Sequence, residues 1–210
     1  MEAIMERLTT TEAAVAAGVS VPQINRIIDE KILPEDLYST SPTRSFRTDA
    51  ALLIAFYFET ADWLTTNARL ETIRNARALC STWEEWKDCT IGDHYLTIRF
   101  SDLWKAVDER LHRLTEARGM VVEDPEILSG TPVIRGTRIP VHDVAAQVES
   151  GVPMEEILET YPRLTEAQVE LASIYAKAVP QRGRPRRLSI PGASVISVTK
   201  KRLRDSSTGA

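Results

Sequence analysis

The sequence predicts a mainly α-helical fold, with small hairpins between the helices and a C-terminal tail without regular structure. Apolar residues recur every three or four positions in segments along the chain, which is the spacing of amphipathic helices. Serine and threonine residues precede several of these segments, as helix N-caps do. Residues 180–210 have no helical period. Such a segment cannot bury enough apolar surface by itself, so we expect it to be disordered until it binds a partner.

Composition points to a soluble protein of the cytoplasm. The chain has 210 residues, of which 43% are hydrophobic and 27% are charged. No apolar run approaches the roughly 20 residues of a membrane helix, and residues 1–7 lack the apolar segment of a signal peptide. The two cysteines, Cys80 and Cys89, lack the paired spacing of a zinc site, so we expect them to be packing residues.

Charge is distributed unevenly along the chain, whose net charge is −4. From residue 180 onward eight basic residues stand against one acid, Asp205, so this tail carries +7 and residues 1–179 carry −11. The basic residues of the tail are Arg182, Arg184, Arg186, Arg187, Lys200, Lys201, Arg202 and Arg204. An acidic body with a basic tail predicts that the tail has an anionic partner of its own.

Residues 8–61 form the first predicted module. Thr9–Glu12 offers N-caps for a first helix with alanines on one face. Gly18 lies in a tight turn, where any side chain would require a left-handed backbone. Pro22 then fits the first turn of a second amphipathic helix that ends near Lys31.

The elements predicted after this helix pair are a strand beginning at 32–34, a polar loop over 38–43, a return strand over 44–47 and a helix through Phe58. This order resembles the winged helix-turn-helix of MerR-like regulators. The resemblance implies that the second helix and the wing bind DNA, with base or phosphate contacts from side chains of suitable type. The candidate DNA-binding residues are Ser20, Gln23, Asn25, Arg26, Arg44 and Arg47.

The charge of this module argues against DNA binding unless its cations share one face, because affinity for DNA comes largely from phosphate neutralisation. Counted together with the residues that precede the module, over 1–61, there are five basic residues, namely Arg7, Arg26, Lys31, Arg44 and Arg47. The nine acidic residues are Glu2, Glu6, Glu12, Asp29, Glu30, Glu35, Asp36, Asp49 and Glu59. The alternative interpretation is that this helix pair is a plain packing motif.

Residues 62–119 are predicted to be a helical linker or dimerisation section. Apolar spacing predicts a helix over 69–80, and Ser101 is a candidate cap for another. Between them, 90–99 reads as a small hairpin with a Gly92-Asp93 turn.

Residues 120–179 contain the most specific motif of the chain. Positions 124–139 read DPEILSGTPVIRGTRI, which resembles the signature D-P-x-I-x-x-G-x-P-x-I-x-G-T-R-I of the DUF433 family. A tight hairpin is predicted over 133–139, followed by helices over 141–149, from Pro153 to Tyr161 and over 166–179. The last helix is apolar on more than one face, which predicts a subunit interface.

The DUF433 family looks like the antitoxin half of bacterial toxin–antitoxin pairs, especially VapB-like antitoxins of PIN-domain ribonucleases. The resemblance implies that tail arginines pair with the carboxylates of the toxin's metal site, while apolar residues anchor the segment. The candidate toxin-binding residues are Arg182, Arg184, Arg186, Arg187, Leu188 and Ile190. The alternative is a solvated basic tail that binds nucleic acid loosely.

Together these features predict a cytoplasmic, homodimeric type II antitoxin that represses its own operon and inhibits a PIN-domain toxin. The alternatives are a stand-alone transcription regulator whose tail grips DNA and a structural dimerisation protein. Neither catalysis nor a cofactor nor a metal is expected. No phosphate loop, nucleophile motif or metal-ligand cluster occurs in the sequence, and His94, His112 and His142 are far apart.

Overall fold

A computed structural model describes residues 7–92 and 96–181. Within these ranges the chain forms eight α-helices and short strands, in agreement with the predicted mainly α-helical class. The helices are α1 (Thr10–Ala17), α2 (Val21–Asp29), α3 (Thr48–Glu59), α4 (Thr66–Leu79), α5 (Ser101–Met120), α6 (Val141–Glu149), α7 (Met154–Thr160) and α8 (Glu166–Ala178). The strands are β1 (Arg7–Thr9), β2 (Tyr38–Ser39), β3 (Ser45–Arg47), β4 (Thr90–Gly92), β5 (Thr97–Arg99), β6 (Val121–Val122) and β7 (Val133–Ile134). No helix of this part of the chain is both long and apolar enough to cross a membrane.

Capping boxes set the start of three helices. At each one the N-cap hydroxyl accepts a hydrogen bond from the backbone N–H three residues on, and the side-chain oxygen of that residue accepts one from the backbone N–H of the N-cap. The pairs are Thr9–Glu12 for α1, Ser20–Gln23 for α2 and Thr165–Gln168 for α8. Helix α1 ends at Gly18, whose φ of 70° is the left-handed conformation predicted for the turn.

The wing-like hairpin differs from its prediction. Antiparallel strands form one sheet in the order β1-β3-β2, so β1, which was not predicted, pairs with the return strand β3. No strand forms at residues 32–34. Ile32 and Leu33 are both buried, and the Ile32 N–H donates to the Ile27 carbonyl at the end of α2 instead of to a strand partner. The first strand of the hairpin is β2, which the sequence placed in a loop.

The larger hydrophobic core joins α1 to α5 without interruption. It contains Leu8 and Phe46 of the small sheet, most of α3, and Trp86 and Phe100 of the middle section. A hairpin forms within 90–99 as predicted, with Ile91 opposite Ile98. Its turn is not at Gly92-Asp93, because Gly92 belongs to β4 and pairs with Thr97. Residues 93–95 lie outside the described ranges.

A smaller core holds the C-terminal unit together. It consists of buried residues of α5, β7, α6, α7, the loop after it, and α8. Much of the apolar surface of α8, for which the sequence predicts a subunit interface, is covered within its own chain. This helix packs on α6, α5 and α1 of its own chain, and its residues Val169, Ala172 and Ala178 are buried there.

The prediction of a hairpin within 133–139 was correct only in part. Thr137 donates to the Ile134 carbonyl to close a tight turn, and Val133 bridges Pro140. The strand partner of β7, however, is β6 at the end of α5. Arg135 adds a side-chain link by donating to the Gly119 carbonyl at 2.9 and 3.1 Å, which satisfies a carbonyl in the last turn of α5.

Candidate nucleic-acid interface

Helix α2 and the β2–β3 hairpin present a shared exposed surface, called here the α2–hairpin surface. The inner face of α2 is fixed by Ile24 and Ile27, both fully buried. Its N-terminus is fixed by Ser20, whose backbone N–H and hydroxyl both donate to the side-chain oxygen Oε1 of Gln23, at 2.8 and 2.9 Å. Val21, Pro22, Arg26 and Asp29 are exposed, and Gln23 and Asn25 are half-buried, so the helix keeps an outer face of the kind that a recognition helix requires.

A direct hydrogen bond joins the two parts of this surface. The Arg44 guanidinium, on the hairpin loop, donates from Nη1 to Oδ1 of Asn25 on α2 at 2.9 Å. Both atoms belong to residues that the sequence nominated independently for DNA contact. The bond holds an exposed guanidinium beside the outer face of the helix.

The two other nominated arginines are engaged by acids. Arg26 pairs with Glu30 one turn later at 2.8 Å, and this hydrogen bond raises the pKa of Arg26. Arg47 donates from two nitrogens to the buried carboxylate of Asp49, each at 3.0 Å, which raises the pKa of Arg47. Arg26 is exposed and forms an ordinary surface ion pair. Arg47 instead binds a buried carboxylate in the first turn of α3.

Ion pairs also reduce the acidic excess of the first module. Four of its nine acids are paired: Glu30 and Asp49 within the module, Asp36 with Arg77 of α4, and Glu12 with Arg118 of α5. Arg77 and Arg118, which lie outside the module, neutralise two of the acids that make its net charge unfavourable for DNA binding. Sequence reasoning missed both, because such pairs join residues far apart along the chain.

A second polar cluster lies where α6 and α8 meet the segment that follows β6. The Tyr175 hydroxyl donates to Glu123 at 3.2 Å, and burial first, then the nearby Glu123 carboxylate, raises the pKa of Tyr175 to about 12. The His142 ring lies 5.8 Å from the Tyr175 ring, and burial lowers the pKa of this imidazole. These shifts keep the phenol and the imidazole neutral near pH 7, as packing residues are.

The remaining reactive side chains also have structural surroundings. Cys80 and Cys89 are buried free thiols, and burial, followed by a hydrogen bond with Cys80, raises the pKa of Cys89 to about 12. His112 lies 3.5 Å from Asp108 on the same helix. Among the described residues no group of three or more His, Cys, Asp and Glu side chains could hold a metal ion.

The predicted toxin-binding residues Arg182, Arg184, Arg186, Arg187, Leu188 and Ile190 lie outside the described ranges. The structure does locate the point at which the chain reaches them. Thr11 of α1 donates its hydroxyl hydrogen to the Ala178 carbonyl at the end of α8, at 2.5 Å. The tail therefore leaves the folded body beside the first helix of the α1–α2 pair.

Comparison with known proteins identifies the C-terminal unit. Residues 121–176, from β6 to α8, match the model described as "Protein of unknown function (DUF433)". The whole chain is similar to "Uncharacterized protein y4eO" of Sinorhizobium fredii (strain NBRC 101917 / NGR234), with 44% identity over 217 residues covering 100% of this chain and 98% of that protein. No solved structure matches the chain significantly. The signature at 124–139 thus identified the DUF433 family of this C-terminal unit correctly, and the chain as a whole belongs to the family of the y4eO protein.

Proposed function

We propose that this protein is the antitoxin of a type II toxin–antitoxin system, acting in the cytoplasm as a homodimer. Its N-terminal module is a MerR-like winged helix-turn-helix that binds operator DNA and represses its own operon. Its basic tail binds a PIN-domain, VapC-like ribonuclease and blocks the metal site of that toxin. In this proposal the chain has no catalytic activity and needs no cofactor.

The observation that carries the DNA-binding half is the α2–hairpin surface with its Asn25–Arg44 hydrogen bond at 2.9 Å. A recognition helix reads the major groove while a wing contacts the adjoining backbone, so the two elements must keep a fixed spacing. A side-chain bond from helix to hairpin supplies such a constraint. The acids paired by Arg77 and Arg118 reduce the repulsion that the module would otherwise exert on phosphates.

What supports the toxin-binding half is the charge and composition of the tail. A net charge of +7 beside apolar positions such as Leu188 and Ile190 suits a segment that folds onto an acidic partner. Guanidinium groups bind carboxylates through two parallel hydrogen bonds, and a cluster of metal-binding carboxylates offers several such sites. Occupying them would exclude the metal that the ribonuclease needs.

We expect Arg44→Ala to weaken binding to the DNA upstream of its own gene by about tenfold and to lower the salt slope by about one. Asn25→Ala should reproduce part of this loss, because it releases the guanidinium that it now positions. Affinity measured by fluorescence anisotropy across a salt series would test both. Arg74→Ala removes an equal charge from the exposed side of α4 and serves as the control.

If the Arg44 and Arg74 variants weaken binding equally, the surface contributes only general charge and the recognition-helix assignment fails. If neither variant matters while the intact chain still binds, another surface contacts the DNA.

We expect deletion of residues 182–210 to abolish neutralisation of the toxin encoded by the adjacent gene. Co-purification of the two products and rescue of growth would be measured for the intact and truncated chains. The matched variants replace Arg184, Arg186 and Arg187, or Lys200, Lys201 and Arg202, with glutamine, so that each loses three positive charges. The first set should impair neutralisation more, because it lies beside the first apolar anchor. Full neutralisation by the truncated chain would contradict the antitoxin assignment.

A stand-alone transcription regulator is the second candidate. The Thr11–Ala178 hydrogen bond favours it, because it brings the origin of the basic tail next to the α1–α2 pair. From there the tail could track the phosphates that flank an operator. In that case the truncation would weaken DNA binding, and no neighbouring gene product would co-purify with the chain.

A further inference from the structure

A cavity of about 530 Å³ lies between α1, the turn after it, α5 and α8. Its walls are mostly apolar and include Ala14, Val15, Val19 and Ile174. Pockets of about 300–1,000 Å³ with apolar walls and a few convergent polar groups are the usual sites for small organic ligands. Of the candidate DNA-binding residues only Ser20 lines the cavity, whereas Asn25 and Arg44 of the α2–hairpin surface do not.

The charged groups of this cavity are all cationic. Arg110, Arg113 and Lys177 line it, and no acidic side chain does. Arg113 is paired with Glu170 at 2.5 Å, so its charge is compensated at the rim. Neither Arg110 nor Lys177 has an ion pair within residues 7–92 and 96–181. Two positive charges therefore remain for a ligand.

Arg110 is held in place but incompletely bonded. Its Nη1 atom is buried and has no hydrogen-bond partner among the described residues. Its guanidinium lies against Gly18, where an added Cβ would come within 2.9 Å of Cζ. Buried polar groups are almost always hydrogen-bonded, and a buried donor on a charged group is especially costly to leave unpaired. An anion in the cavity would supply the acceptor.

We infer that this cavity binds a small organic anion with an apolar body and a carboxylate. The carboxylate would accept hydrogen bonds from Arg110 and Lys177, and the apolar body would pack on Val15, Val19 and Ile174. The chain's own tail is a poor occupant, because its net charge of +7 would be repelled by the same cations. The inference does not depend on the antitoxin assignment.

The position of the cavity gives the ligand a route to α2. Gly18, Val19, Ser20 and Val21 form part of the wall, and these residues are the turn that joins α1 to the N-terminus of α2. A ligand that fits one orientation of this turn better than another would shift the population of α2 orientations. Such a ligand would change the affinity for DNA, and DNA would change the affinity for the ligand by the same factor.

Calorimetric titration of the full chain with octanoate, decanoate and 2-naphthoate, each beside the corresponding alcohol, tests the inference. We expect at least one carboxylate to bind saturably and more tightly than its alcohol. Arg110→Gln should weaken that carboxylate about tenfold and leave the alcohol unchanged, and Lys177→Gln should weaken it to a smaller extent. Arg74→Gln, an equal charge loss on α4, should have no effect.

Val15→Phe provides a second variant, because it fills the cavity without removing a charge. It should weaken carboxylate and alcohol together. Thermal unfolding of each variant shows that the chain remains folded before affinities are compared. The inference is overturned if no carboxylate binds, if inorganic phosphate competes as well as the organic anions do, or if Arg110→Gln leaves carboxylate affinity unchanged. These titrations contain no DNA or toxin, so their failure is distinct from a failure of the proposed function.

Discussion

Replacing Trp86 with alanine is expected to lower the free energy of unfolding by about 3–5 kcal/mol, the usual cost of removing a buried tryptophan. Trp86 lies in the 3₁₀ turn Glu84–Asp88 and is completely buried. Its ring meets Phe100 edge-on at 5.6 Å, and Phe100 in turn packs on Phe56 of α3 at 5.2 Å. The substitution removes one end of this aromatic series and leaves a cavity beneath α5.

The way in which the variant unfolds would also test the predicted boundary near residue 61. Trp86 belongs to the middle section, but its aromatic partners reach α3 of the first module, and a single core contains both. We therefore expect Trp86→Ala to lower the midpoint of one cooperative transition over 8–119. Two separate transitions, with the first module unaffected, would show instead that the two sections fold independently.

Trp63→Ala is the matched control for this measurement. Trp63 lies in the loop between α3 and α4 and is 86% exposed, so its loss should change the free energy of unfolding by no more than about 0.5 kcal/mol. Trp86→Phe is an informative intermediate. The Trp86 indole nitrogen is buried and has no hydrogen-bond partner in the described ranges, so phenylalanine loses ring volume but no hydrogen bond. Chemical denaturation followed by circular dichroism compares the three variants.

Local patterns predicted the helices well, for an identifiable reason. Caps such as Thr9–Glu12, Ser20–Gln23 and Thr165–Gln168 act over three residues and can be seen in the sequence. Strands β1, β2 and β6 could not be found in this way. They are only two or three residues long, and β1 and β6 pair with strands that are not their neighbours in a short hairpin. A segment of that length has too few positions for an alternating pattern to emerge.

The sequence could indicate which residues of the candidate surface have side chains suited to DNA contact, but not which other side chains they would bind. Asn25 and Arg44 were nominated separately, and only the fold joins them. Arg47 was nominated for the wing, but its guanidinium is held by Asp49. Arg110 was not nominated at all, because a single arginine on an amphipathic helix carries no signal of the cavity that three other elements build around it.

The second large effect is expected at the buried ion pair between Glu12 and Arg118. The Glu12 carboxylate is 1% exposed, receives two hydrogen bonds from Thr9 at 2.8 and 2.9 Å, and pairs with Arg118 of α5. Removing one partner of a buried pair strands a charge in the interior, which costs about 3–5 kcal/mol. We expect Arg118→Met to approach the lower end of that range, because the arginine side chain is 40% exposed and water can enter where it lay.

The double variant should be more stable than this single one. Glu12→Gln keeps a carbonyl oxygen that can accept from Thr9 but removes the charge, so Glu12→Gln with Arg118→Met leaves no buried ion without a partner. We expect the pair of substitutions to recover about 1–2 kcal/mol relative to Arg118→Met alone. Urea denaturation of the wild type, both single variants and the double variant completes the thermodynamic cycle.

Arg113 provides the comparison within the same helix. It also pairs with a glutamate of another element, Glu170 of α8, but both side chains are largely exposed, at 41% and 54%. Exposed pairs contribute about 0–1 kcal/mol, so Arg113→Met should change stability only slightly and Glu170→Gln should not rescue it. If Arg118→Met lowered the free energy of unfolding as little as Arg113→Met does, the Glu12 carboxylate would have to become hydrated when its partner is lost. In that case α1 would pack less tightly against α5 than the burial of Glu12 indicates.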